Sequence, residues 1–453
     1  MLSVNNRAII VLIFVLVAVL LFTQDFIAGK KFSEKCASFM HITVIGFPLI
    51  DLKMVPSELN IKVFEILIFL FFMYNYKTLS NTIKKYNTTL VKILFFVLLL
   101  TGILSDYFLN SFYATLKFVS YFLFFIIVSK AFVYDKNLPM YIFNLIVAYA
   151  VVFLLLQLLY GLDFSLYGQL NEASLKNSRY TSFSQDPQKM ATIAYTLAIV
   201  YLGNMYSKTD SFDLKNTVLF FFLLWIALLT GARSSLVGFT IAAAVLFIYN
   251  FSLRSLLVVS FVLSMVYFFL LDYLLTQTVF QRIVDFQDDL EGRSSLFWVE
   301  ALKIFYDNYI IGIGNGNFSE FMNSTTAYKI SYAKGVTADQ PESGYLLWMV
   351  ETGTIGLVTF VIFIIKIVTF YNKNTSKKIL KYKLAFLVWV IGFISVYSLT
   401  DTKIVYILVL LVTLIFNTKP NKFKKKTNSS KQKTVVHLTS NFDRQNLKIG
   451  FKN

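Results

Sequence analysis

The feature that most constrains this chain is a series of apolar runs that recurs from its first residues to position 417. A helix needs roughly 20 apolar residues to cross the hydrocarbon core of a bilayer. Runs of that order fall at 8–26, 36–52, 61–77, 88–105, 112–134, 138–160, 190–206, 214–231, 233–249, 254–275, 343–371, 383–400 and 402–417. The run at 36–52 is short and holds Pro48, so it reads as a span or as a re-entrant segment, and the count is 12 or 13. The expected fold is all-α: a polytopic integral membrane helical bundle of 12–13 transmembrane helices with one large extracytoplasmic loop. Composition agrees, because 57% hydrophobic and 17% aromatic content lies beyond a soluble globular domain. The first run lacks a small-residue cleavage site and is followed by further spans, so it reads as an anchor rather than a removed signal.

Lys and Arg in the short connections set the orientation. The connection 77–92 carries Lys77, Lys84, Lys85 and Lys92, and 371–383 carries Lys373, Lys377, Lys378, Lys381 and Lys383, neither with an acid. Both should be cytoplasmic. Alternation then puts the loops 161–189 and 276–342 outside. With 13 spans the N-terminus is also outside, and with 12 it is inside. Residues 1–417 thus form one membrane domain, followed by a basic cytoplasmic tail at 418–453 with ten Lys or Arg and one acid, Asp443. Much of the net charge of +17 lies in this tail. The pattern fits an anchor on anionic lipid, in a polar segment expected to be disordered, better than nucleic-acid binding.

Several chemistries find no support. Cys36 is the single cysteine, and His41 and His437 lie far apart, so no His/Cys metal cluster can form. Composition leaves carboxylate-held Mg or Mn open, yet no Asp-x-Asp pair flanks a span, and Asp288-Asp289 reads as a solvated turn. No cofactor is expected. The Gly312-Ile313-Gly314-Asn315-Gly316 run lacks the Lys-Ser/Thr of a phosphate loop and reads as a tight turn, with close approach to a sugar or phosphate as the lesser reading.

The stretch from Arg293 to Gly356 is polar and rich in aromatics in an otherwise apolar chain. Leu296, Phe297, Ala301, Ile304 and Phe305 recur at helical spacing, which predicts an amphipathic helix on the outer surface that caps a cavity. Charges in or at the edges of spans are costly and point to function. Arg233 lies between two nearly continuous apolar runs, where snorkelling is the plain alternative, but Gly231, Ser234 and Ser235 beside it make a small, polar spot. Glu351 lies nine residues beyond Glu342, either as a functional acid or as a structural one within the bundle. Arg179, with Asp186, stands on the other outer loop, where a loop salt bridge is the plain alternative.

Four segments in this order resemble the O-antigen ligase and Wzy-type polysaccharide polymerase superfamily. They are RYTSFSQDPQKMA, TGARSSLVGF, RSSLFWVEALKIFYDNYIIGIGNGNF and ESGYLLWMVETGTIG, and the likeness covers about 160–417. The resemblance implies inverting glycosyl transfer on the outer face of the bacterial cytoplasmic membrane, with an undecaprenyl-pyrophosphate-linked glycan as donor. The partners it implies are that donor, a lipid-linked acceptor and the bilayer, with a chain-length regulator as a further candidate and no nucleic acid. Arg233 and Arg293 fall where the family's pyrophosphate-holding arginines stand. The ligase branch has a His-Asn pair eleven residues before the first Gly of its ExGxxG motif, and here Glu342-Ser343 occupies that place. The missing histidine argues for the polymerase branch and nominates Glu342 as catalytic base. Arg179, Arg282, Asp339, Tyr345 and Glu351 are then candidate substrate-binding residues.

The chemistry is consistent with this set. Pyrophosphate leaves readily, so the enzyme needs guanidinium groups to hold the departing dianion and one base for the attacking hydroxyl. A carboxylate of ordinary pKa, about 4.3, is ionised at neutral pH and can serve. Three rival readings remain at this point. Asp339 with Glu342 could imitate the carboxylate pair of a hydrolase. A ligase would move the glycan to another acceptor. A lipid-linked oligosaccharide flippase would also line a cavity with arginines, although no internal repeat is evident.

Overall fold

The computed structural model describes residues 4–52, 62–83, 89–162, 164, 179–184, 186–207, 213–250, 298–324, 341, 343–370 and 376–417. Among them are fourteen α-helices and no strand element. They are α1 (Val4–Ile27), α2 (Phe32–Ile45), α3 (Val63–Ile83), α4 (Thr89–Ile103), α5 (Phe108–Tyr134), α6 (Leu138–Tyr160) and α7 (Pro187–Ser207). There follow α8 (Leu214–Leu229), α9 (Ser234–Tyr249), α10 (Val299–Asp307), α11 (Phe318–Ser324), α12 (Gly344–Thr369), α13 (Ser376–Gly392) and α14 (Thr402–Asn417). The expected span 254–275 and the basic tail lie outside the described residues, and each of the other expected runs overlaps a helix.

The helix starts carry the expected local signals. Pro187 opens α7, where its missing N–H costs nothing. Asp401 caps α14, its Oδ1 accepting from the N–H of Lys403 at 3.0 Å and of Ile404 at 3.1 Å. Ser343 caps α12 by accepting from Leu346 N–H at 3.4 Å.

Helices α3, α5, α6 and α12 are each long and apolar enough to cross a membrane, and shorter apolar helices accompany them. On α12, Val358, Ile362 and Ile365 are exposed while Phe360, Ile364 and Ile367 are buried. A helix that is apolar on both its packed and its open face belongs in lipid. The protein is therefore an all-helical, polytopic membrane protein. Its buried apolar residues form one core cluster. Helix α5 packs against α2, α4 and α14, and α7 packs against α8, α9 and α13. Phe124 of α5 is ringed by Phe39, Phe64 and Tyr406.

One boundary differs from expectation. The run 383–400 is not a helix along its length, because α13 begins at Ser376 and stops at Gly392. The Lys-rich connection thus becomes the first turns of a helix. Lys381 hydrogen-bonds Asn204 on α7, and Lys383 Nζ donates to Val368 O on α12 at 2.7 Å. Hydropathy marks where a chain meets lipid, whereas a helix continues past that edge when its cations find acceptors there.

The connections at the far end of α13 gather at one end of the bundle. Gly344 N–H donates to Phe393 O at 2.8 Å, and Lys403 Nζ to Phe183 O at 2.6 Å. Arg179 Nε donates to Thr230 O at 2.7 Å, and Ser105 Oγ to Ile313 O at 2.7 Å. The segments around 105, 183, 230, 313, 344 and 393 therefore share this end. It holds the residues nominated from the sequence that fall within the described chain.

Candidate functional site at one end of the bundle

The first element of the site is the turn between α8 and α9. Thr230-Gly231-Ala232-Arg233 reverses the chain, with Gly231 at φ 69°, a conformation that favours glycine. Arg233 is half-buried at the start of α9. Arg179 is buried, and its guanidinium holds this turn through Thr230 O. Tyr180 N–H adds a bond to Leu229 O at 3.2 Å. The structure thus brings Arg179 and Arg233 to one turn. The segment that carries Arg179 is braced from α6 by Gln157, whose Oε1 accepts from the N–H of Thr181 and of Ser182. Ser182 sits at φ 50°, uncommon for a residue with a Cβ, and its Oγ donates to Ala150 O at 2.8 Å.

The second element is the start of α12. Glu342 lies outside the described residues, but both its neighbours are buried and anchored. Trp298 Nε1 donates to Pro341 O at 3.0 Å, and Ser343 is the α12 cap. Trp298 opens α10, five residues after Arg293 in sequence. The end of α13 joins the two elements. Phe393 O receives Gly344 N–H, and a Cβ on Gly392 would lie 3.2 Å from Ser235 Oγ on α9.

The third element is a loop inserted into a helix. Gly353, in α12, has φ 65° and ψ −171°, which breaks the helical ladder. The freed groups find partners in residues 309–314. Val350 O accepts from Ile313 N–H at 3.1 Å and Glu351 O from Gly314 N–H at 2.9 Å. Thr354 N–H donates to Tyr309 O at 2.9 Å and Ile355 N–H to Ile310 O at 3.4 Å. Broken helix in a membrane protein is tolerated where other protein groups satisfy the backbone, as they do here. Gly312 and Gly353 make the approach possible. A Cβ on Gly312 would lie 2.5 Å from the Glu351 carbonyl, and one on Gly353 would lie 2.3 Å from Ile310 O.

Glu351 and Asn317 lock the insertion. The buried Glu351 carboxylate accepts from Phe318 N–H at 3.3 Å, and Asn317 Nδ2 donates to Ser105 Oγ at 2.6 Å and Ser111 Oγ at 2.8 Å. Replacing Gly353 by Ala should lower thermal stability by more than the roughly 1–3 kcal/mol of backbone strain alone, because the Cβ also collides with the loop. Gly312→Ala should act on the same joint, so the double variant should lose less than the sum of the two. Thermal unfolding followed by tryptophan fluorescence measures both. Additive losses would mean that the two glycines act at separate places.

Among the other nominated residues, Tyr345 donates its hydroxyl to Val390 O at 3.0 Å and packs on Phe393. Asp186 caps α7 by accepting from Gln188 N–H at 2.7 Å. Arg282, Arg293 and Asp339 lie outside the described residues. The amphipathic loop helix exists as α10, with Ala301 and Ile304 buried and Phe305 half-buried, while Leu296 and Phe297 lie outside the described residues.

Sequence reasoning missed a buried charged network at this end. Lys62 pairs with Asp51 and donates to Thr400 O at 2.5 Å, and Asp51 Oδ1 also accepts from Thr402 N–H at 3.2 Å. Lys403 lies over the ring of Phe183 as well as on its carbonyl. These residues stand at span edges, where each alone looks like a solvated cap. The available signal was that Asp51, Lys62 and Lys403 each fall just inside an expected apolar run.

Comparison with known families points to this same region. Residues 218–361 match the protein-family model described as O-Antigen ligase. The matched stretch takes in the Arg233 turn, α10, the inserted glycine loop and the Gly353 break. A search among curated proteins gives no match. The chain is thus a polytopic membrane protein that carries, over residues 218–361, a segment similar to the O-Antigen ligase family.

Proposed function

We propose that this protein polymerises undecaprenyl-pyrophosphate-linked oligosaccharide repeat units on the outer face of the bacterial cytoplasmic membrane, by inverting glycosyl transfer. The observation that carries the reading is the convergence at one end of the bundle. The Arg233 turn, Trp298 just after Arg293, and the residues flanking Glu342 are tied together through Pro341, Gly392 and Phe393. The similarity of residues 218–361 to the O-Antigen ligase family supports glycan transfer in general. The polymerase branch rests on Glu342 standing where the ligases have histidine.

The proposed reaction is a single displacement. A hydroxyl of the acceptor sugar passes its proton to the Glu342 carboxylate, and its oxygen attacks the anomeric carbon of the donor. The bond from that carbon to the pyrophosphate oxygen breaks, and the leaving group departs with the electron pair. Attack from the face opposite the phosphate inverts the anomeric configuration. Arg233 and Arg293 hold the departing charge, since guanidinium forks match phosphate oxygens in pairs. Arg179, through Thr230 O, sets the position of the Arg233 turn. Such preorganised donors are most effective away from bulk water.

The test is a product balance. Given a radiolabelled lipid-linked oligosaccharide, the purified protein should release prenyl pyrophosphate while the remaining lipid-linked glycan lengthens. Release of free oligosaccharide without lengthening would favour the hydrolase, with Asp339 as partner to Glu342. Orientation has its own check. A cysteine placed at Ser319, in a Cys36→Ala background, should react with a membrane-impermeant maleimide on intact cells. Reaction only after permeabilisation would reverse the topology.

A further inference from the structure

A cavity of about 740 Å³ opens on the flank of the inserted loop, between α3, α5, α12 and residues 315–320. Its size lies within the roughly 300–1,000 Å³ typical of small-molecule sites. Arg179, Arg233 and Tyr345 do not line it. Two of its lining residues, Glu65 and Asn315, each carry a buried polar atom with no hydrogen-bond partner among the described residues, Glu65 Oε1 and Asn315 Nδ2. Glu65 is 4% exposed and Asn315 is 1% exposed. Leaving such groups unsatisfied is unfavourable, so a ligand that pairs with them is favoured. One is an acceptor and the other a donor, so a ligand that answers both carries hydroxyl or amide groups.

The rest of the lining narrows the ligand further. Glu65, Glu320 and Glu351 line the cavity together with Lys117, so acidic groups outnumber basic ones. A pyrophosphate is disfavoured there, in contrast to the Arg179–Arg233 turn. Tyr113, Phe118, Phe69 and Tyr397 supply aromatic faces for the C–H surface of a sugar ring. Ile66, Phe69, Leu70 and Met73 follow helical spacing down α3, and Met73 is 73% exposed, so the cavity opens beside an apolar stripe that continues to the helix surface.

We infer that this cavity is the acceptor subsite: it binds an uncharged sugar residue tethered to the membrane by an apolar chain, through Glu65 and Asn315. The acceptor role rests on the glycosyl-transfer reading above, whereas sugar binding does not need turnover. The position suits the role. Leu347 and Glu351 of the lining belong to α12, whose first residue, Gly344, follows two residues after Glu342. A sugar held here stands about one to two helical turns from the start of α12, with the donor pyrophosphate on the arginine side. Glu351 is committed to the backbone of the inserted loop, so Glu65 and Asn315 carry the contacts to the sugar.

The test uses photo-labelling of the full-length protein in detergent with two probes that share one diazirine-bearing decyl chain. One has a neutral N-acetylglucosamine head and the other a phosphate head. The glycoside should label peptides containing 66–73 or 110–118, and the phosphate should label them at least about tenfold less. Glu65→Gln and Asn315→Ala should each reduce glycoside labelling about tenfold or more, the loss expected for a hydrogen bond involving a charged group or a buried partner. Equal labelling of wild type by both heads would reduce the cavity to a lipid-facing crevice and overturn the inference. The comparison of heads needs no variant, so it holds even if a variant misfolds. A labelled cavity in a protein that releases no prenyl pyrophosphate would sink the glycosyl-transfer reading alone. An unlabelled cavity in a protein that lengthens glycan would sink the cavity assignment alone.

Discussion

Replacing Glu342 by glutamine should slow chain lengthening by about 10²–10⁴-fold, the usual contribution of a positioned general base. Glutamine keeps the size and hydrogen-bonding reach of glutamate but cannot take the acceptor proton. The competing account is electrostatic, since an acid near the start of α12 would be favoured by the helix dipole. That contribution is about 0.3–1 kcal/mol and would change stability rather than rate. The cap of α12 is already supplied by Ser343, so the helix does not depend on Glu342 for that bond. The measurement is the initial rate of lengthening with protein amount and thermal stability matched. A Glu342→Gln protein that lengthens glycan at the parent rate would transfer the base to Asp339 or to the substrate itself.

Arg233→Lys and Arg293→Lys should each lower the rate by roughly 10²–10³-fold, the range seen when one donor to a developing anion is lost. Lysine keeps the charge but gives up the fork, which separates a bidentate phosphate role from a general electrostatic one. For Arg233 the structural background is favourable. Its turn is held by Arg179 through Thr230 O and by Tyr180 N–H, so the substitution leaves those anchors in place. Full activity in Arg293→Lys would make it a loop salt-bridge residue and move the donor site elsewhere.

Much of the bundle is legible in the sequence because lipid imposes a simple rule: apolar runs must be helical. The expected runs 112–134 and 138–160 differ from α5 and α6 by four residues or fewer at either end. The rule fails where polar groups satisfy one another inside the protein. Gly353 lies within one long apolar run, so the break in α12 and the seating of residues 309–314 against it are invisible to hydropathy. The glycines of the loop were readable as turn formers, but their reason is the backbone of a helix some forty residues away in sequence. Glu351 illustrates the same limit. An intramembrane acid signals either chemistry or structure, and only the contact with Phe318 N–H shows that it holds the loop.

The site was partly legible. Arg233 stood out because it interrupts an apolar stretch, and the turn places it beside Arg179, which a loop salt bridge would have explained equally well. Glu65 gave a weaker signal, as an acid inside the expected run 61–77, and Asn315 gave none. The first reads as an ordinary acid in the first turn of a helix, and the second as one residue of a glycine turn. Their meaning comes from one unsatisfied buried atom on each, at residues that line one cavity, a property of packing between α3 and a loop roughly 250 residues later.

Reconstituting the purified protein in vesicles with lipid-linked repeat units as the sole glycan separates the joining of glycan to glycan from its transport. A ladder of products spaced by one repeat is expected, formed when the units are on the side where Ser319 is labelled and lost in Arg233→Lys. Movement of the units across the bilayer with no lengthening would overturn the polymerase reading and identify a flippase.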